Sequence, residues 1–101
     1  MQAVQLTGQE AKASDATRFL KLLANEQRLL VLCNLVSNGE MTVNELADAV
    51  GLSQSALSQH LGRLRADGFV AFRREAQTLH YRVTDRRAVR LLTTLKKIFC
   101  P

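Results

Sequence analysis

The chain has 101 residues, 47% of them hydrophobic and 23% charged, a globular composition that excludes a disordered chain and leaves no room for a catalytic domain beside a second module. Its net charge of +5 is unevenly placed: four basic residues face six acidic ones up to Gly62, and ten face three from Arg63 onward. No apolar run approaches the ~18 residues of a membrane span, and the N-terminal residues lack the charged and apolar segments of a signal peptide, so the expected location is the cytoplasm.

In chain order, Thr7 and Glu10 form a capping-box pattern ahead of Phe19, Leu20, Leu22 and Leu23, which predicts a first helix. Asn25 is a suitable N-cap for a second helix, with Leu29, Leu32, Cys33 and Val36 on one stripe and Asn38-Gly39 as its stop. Thr42 with Glu45 repeats the capping-box pattern before Val43, Leu46, Ala47 and Val50, and Gly51 ends that short third helix. Ser53 caps a fourth, whose stripe is Leu57, Leu61 and Leu64 and whose stop is Asp67-Gly68. Two short helices joined by a tight glycine-containing turn predict a helix-turn-helix over residues 42–67.

From Phe69 the pattern alternates, as strands do, through Val70 and Phe72 and then Leu79, Tyr81 and Val83. These predict a two-stranded wing over 69–83. Its tip, about Arg74 to Gln77, carries charge and no Gly, so a loop longer than two residues is expected. Thr84 or Asp85 caps a last helix with Ala88, Leu92, Leu95 and Phe99 on one face, ending at Cys100-Pro101. So apolar a helix needs cover, and the expected cover is the same helix, with the first helix, of a second copy. The fold class is therefore mainly α with a small β-hairpin: a single winged helix-turn-helix domain over 1–101, with five helices and a two-stranded wing. Residues 7–24 and 85–100 are its expected dimerisation helices.

A recognition helix in a major groove needs short donors and acceptors in its N-terminal half, which Ser55, Ser58 and Gln59 supply. Gln54 lies in the first turn, where backbone N–H groups favour phosphate. Arg63, Arg73 and Arg74 are expected on the DNA backbone, within the basic half of the chain. His60 and His80 read as packing or phosphate contacts rather than metal ligands.

The stretch Leu52-Ser53-Gln54-Ser55-Ala56-Leu57-Ser58-Gln59-His60-Leu61, with Leu64 and Asp67-Gly68-Phe69-Val70, closely resembles the recognition helix and wing entry of the ArsR/SmtB transcriptional regulators. Leu23-Ala24-Asn25-Glu26-Gln27-Arg28-Leu29 and Leu79-His80-Tyr81-Arg82-Val83 resemble the family's second helix and second wing strand. The resemblance implies a homodimeric repressor of the bacterial cytosol that binds double-stranded operator DNA and releases it on a chemical signal. The family's metal sensors take ligands from a Cys-rich start of the third helix or from Asp and His on the last helix. Here the former reads Thr42-Val43-Asn44-Glu45-Leu46-Ala47-Asp48 and the latter has no His. No metal and no cofactor are expected.

Two cysteines remain, Cys33 and Cys100. In a reducing cytosol a lasting disulfide is not expected, so both read as thiols that react transiently, although Cys33 on its apolar stripe also reads as a small hydrophobe. One Cys in the second helix and one at the end of the last, between an aromatic and Pro, resembles the ArsR subgroup of biofilm-growth-associated and HlyU-type regulators that senses sulfane sulfur, persulfides or oxidants. That resemblance implies that persulfide attacks one sensor cysteine and the other resolves it, joining the two through a disulfide or polysulfide. Peroxide or general thiol oxidation is the alternative signal, and metal response a further one. A thiol enzyme lacks support, since there is no Cys-x-x-Cys, no βαβ pattern and no His-Asp partnership for a nucleophile. A winged helix that contacts protein rather than DNA stays open at this level.

Overall fold

The structure, a computed structural model, describes residues 9–100. Its elements run α1 (Gln9–Leu23), α2 (Glu26–Asn38), β1 (Met41–Thr42), α3 (Val43–Val50), α4 (Gln54–Ala66), β2 (Val70–Glu75), β3 (Thr78–Val83) and α5 (Arg86–Phe99). The expected cap at Thr7 lies outside the described residues. Among those residues, no helix is long and apolar enough to cross a membrane.

The helix boundaries follow the local chemistry. Asn25 accepts the Arg28 N–H at 3.0 Å and Ser53 accepts the Ala56 N–H at 3.1 Å. Thr42 and Glu45 bond reciprocally, the Thr42 N–H to Glu45 Oε1 at 2.9 Å and the Glu45 N–H to Thr42 Oγ1 at 3.2 Å, which satisfies donors a helix start otherwise leaves open. Asp85, not Thr84, caps α5 by accepting the N–H groups of Arg87 and Ala88. Gly51 ends α3 with φ +70°, a left-handed conformation that costs glycine little.

The core lies where α2, α3 and α4 converge on β3 and α5. Leu32, Leu35, Leu46, Leu57, Leu64 and Phe69 are fully buried there, each contributing roughly 1.5–3 kcal/mol by leaving water. The α4 stripe is the expected one, Leu57, Leu61 and Leu64. On α2 the deepest residues are Val31, Leu32 and Leu35; packing against both α3 and α5 turns the helix so that Cys33 lies at the margin of the core.

The hairpin carries one more strand than expected. β1 pairs antiparallel with β3, Met41 opposite Tyr81, giving a three-stranded sheet of order β1-β3-β2. The wing turn is also shorter than expected. Glu75 pairs with Thr78, so only Ala76 and Gln77 form the turn, with Ala76 at φ +56°. The missing Gly does not lengthen the loop; instead an alanine takes the left-handed position that a two-residue hairpin turn requires.

Candidate nucleic-acid interface and dithiol pocket

The helix-turn-helix and the wing are in contact, α4 against β2 and α3 against β3. Ser55, Ser58, Gln59 and Arg63 are exposed on α4, opposite the leucine stripe that fixes the helix to the core. Gln54 Nε2 donates to Asn44 Oδ1, so the first turn of α4 is tied to the first turn of α3. His60 bonds through Nε2 to Gln27 Oε1 at 2.9 Å, joining α4 to α2. The Arg65 guanidinium stacks over Phe72, 4.8 Å from the ring centroid, and joins α4 to the wing.

The two wing arginines differ. Arg73 is forked onto Glu40 at 2.8 to 3.0 Å and bonds Glu75 at 2.8 Å. These bonds lower the Glu40 and Glu75 carboxyl pKa values and raise that of the guanidinium. His80 approaches the same carboxylates, with Nδ1 4.0 Å from Glu40 and Nε2 3.8 Å from Glu75. Arg74, the neighbour on the other side of the strand, is exposed.

On the far side of α2 the structure brings the two cysteines together. Cys33 and Cys100 line one cavity of about 390 Å³ between α2 and the end of α5, with Leu29, Asn34 and Ser37 on one wall and Leu95, Lys96 and Phe99 on the other. Both thiols are free; Cys33 is half-buried and Cys100 exposed. Burial pushes the Cys33 thiol up from its ordinary value, the neighbouring Cys100 adds to the rise, and the Lys96 ammonium opposes both. Lys96 Nζ donates to Ser37 Oγ at 2.6 Å, and the Cys100 N–H donates to the Lys96 carbonyl at 2.8 Å. Lys96, Ser37 and Asn44 carry no local sequence signal for these roles, because their partners come from other elements.

Residues 25–71 match the family described as bacterial regulatory protein, arsR family. The transcriptional activator HlyU of Vibrio cholerae is 42% identical over 96% of this chain and 89% of its own. The biofilm growth-associated repressor of Xylella fastidiosa is 41% identical over 90% of this chain and 79% of its own. The crystal structure of HlyU from Vibrio vulnificus superimposes with a TM-score of 0.89 at 42% identity, covering 93% of this chain and 97% of that one.

The chain belongs to the ArsR family.

As an ArsR-family protein it is a DNA-binding transcriptional regulator and not an enzyme, and the α3–α4 pair with its wing is the family's winged helix-turn-helix. Among the described residues no three His, Cys, Asp or Glu side chains gather as a metal ion would need. The residues of this ArsR regulator that most invite signal chemistry are the two thiols in their shared cavity.

Proposed function

We propose that this ArsR-family regulator is a dithiol-switched, cytoplasmic repressor. As a homodimer it binds operator DNA while Cys33 and Cys100 are reduced, and it releases DNA when a persulfide links them. The observation that carries this reading is the common cavity of the two thiols, which arise on different helices. Cys100, the exposed thiol, attacks the outer sulfur of R–S–SH and expels R–S⁻. Cys33 then gives up its proton and attacks the inner sulfur of the Cys100 persulfide, expelling HS⁻. The cysteine pair is oxidised and the sulfane sulfur reduced to sulfide. Persulfidation of both residues before closure leaves one extra sulfur in the bridge and releases sulfide in the same way.

Leu20, Val89, Ile98 and Phe99 remain exposed on α1 and α5, and among the described residues of α1 only Leu23 is buried, which favours a second copy as their cover. Ser55, Ser58 and Gln59 then read base edges, while Gln54, Arg63, Arg73 and Arg74 hold the backbone. A bridge between the α2 body and α5 alters the spacing of two recognition helices that must meet half-sites about 34 Å apart. A coupling of about 1–3 kcal/mol suffices for a 5- to 150-fold change in affinity. The test uses a duplex selected from a random pool by the reduced protein. Persulfide lowers its affinity in the wild type and leaves Cys33→Ser and Cys100→Ser bound; release of DNA by either variant contradicts the reading.

A further inference from the structure

We infer that Arg65 is a further contact to the DNA backbone, a guanidinium that the ring of Phe72 holds open for a phosphate between the end of α4 and the wing. The inference is independent of the dithiol switch and rests only on the placement of duplex DNA against α4 and the wing in the reading above.

What an arginine offers a phosphate depends on where its N–H groups already go. Its donors lie in the plane of the guanidinium, so bonds to a carboxylate use them, whereas stacking on an aromatic face leaves that edge open. Arg73 has all three of its guanidinium nitrogens on Glu40 and Glu75. Arg87 stacks over Phe19 at 4.8 Å but also gives Nε and Nη2 to Asp85. Arg65 stacks over Phe72 at the same 4.8 Å, is exposed, and takes part in no ion pair among the described residues. It is oriented by the ring while its charge and its donors stay available.

Its position suits the DNA. Arg65 follows Ser58 by seven residues, two turns that leave it within about 20° of the same line and ~10 Å farther along α4. On β2, Phe72 and Arg74 share a side of the strand, opposite Tyr81 and Leu79 of β3. Phe72 is itself packed on Tyr81, with ring centroids 5.4 Å apart. Arg65 and Arg74 therefore place two open cations on the side of the wing that meets α4, while Arg73 and His80 occupy the other side with their carboxylates. An open guanidinium edge binds a phosphate through two parallel N–H···O bonds.

The experiment follows fluorescence anisotropy of a duplex selected by the reduced protein, across a salt series. Arg65→Gln is expected to lower the slope of log affinity against log salt by about one and to weaken binding on the order of tenfold at ~50 mM salt. Arg65→Lys keeps the charge and is expected to keep the slope, with part of the affinity lost. Phe72→Leu is expected to keep the slope and to bind several-fold more weakly at every salt concentration; Phe72→Tyr, which retains a ring, binds as the wild type does. An unchanged slope in Arg65→Gln overturns the contact even if affinity falls, because a residue that only braces α4 against the wing does not change the number of phosphates met. Full affinity in Phe72→Leu, or an equal loss in Phe72→Tyr, overturns the role of the ring. Arg74→Ala measured alongside separates the two levels, since an unchanged slope there as well would remove the placement of DNA against the wing.

Discussion

The guanidinium of Arg73 on β2 is forked onto the carboxylate of Glu40, in the segment between α2 and β1, through three contacts of 2.8 to 3.0 Å. With Glu75 also bound, the positive charge of Arg73 is matched within the protein, whereas that of Arg74 faces solvent. Arg74→Ala is therefore expected to reduce the salt dependence of duplex binding by about one phosphate contact, and Arg73→Ala by less. Fluorescence anisotropy across a salt series checks the difference; equal slopes for the two variants contradict it.

Acid stability follows from the carboxylates. Asp85 is held below its ordinary value of 3.8, first by its bond from Arg87 and further by the Ala88 and Arg87 backbone N–H groups. Glu45, bonded by the backbone and hydroxyl of Thr42, lies below its ordinary 4.5. A carboxyl depressed on folding contributes stability that is fully present above its unfolded value and is lost as pH falls through its folded value. Urea midpoints should thus hold from neutral pH down to roughly 4.5 and fall below it. Asp85→Asn keeps a capping side chain without the titration, so it should lower the midpoint at pH 7 and flatten the acid limb.

Ala76 is the non-glycine residue with positive φ among the described residues. Ala76→Gly relieves a left-handed conformation costing about 1–2 kcal/mol, offset in part by the greater freedom of glycine when unfolded. The variant is expected to be up to about 1 kcal/mol more stable with unchanged DNA affinity, as measured by thermal unfolding and anisotropy.

The thiols should also differ toward a simple alkylating agent. Cys33 is half-buried and shifted upward from 9.0 by burial first and by Cys100 second, with Lys96 opposing. Iodoacetamide should modify exposed Cys100 first. Labelling of Cys33 should rise steeply only above about pH 9, and at still higher pH in Lys96→Gln.

Much of this fold is legible because its signals are local. Thr42 with Glu45, Asn25, Ser53 and Gly51 mark helix ends by chemistry reaching no more than a few residues, and the leucines of α4 mark its buried face by period alone. The two-residue strand at Met41 was not legible, because only pairing with Tyr81 makes it a strand. The wing turn is shorter than its sequence signals because Ala76 occupies a position usually marked by Gly or Asn. At the candidate sites, the exposed residues of α4 follow from helical spacing. The ties of Gln54 to Asn44, Arg73 to Glu40 and Lys96 to Ser37 do not, since each joins separate elements. The pairing of Cys33 with Cys100 was suggested by resemblance alone until the packing of α2 against α5 gave them a common cavity.

Peptide mapping of the reduced protein after persulfide treatment, without any other oxidant, tests the central claim most directly. Tryptic cleavage separates the peptide containing Cys33 from the one containing Cys100. The account predicts one cross-linked species joining the two within a single chain, as a disulfide or with additional sulfur, appearing in step with release of duplex DNA. DNA release with both cysteines still unlinked, or with links only between chains, would contradict it.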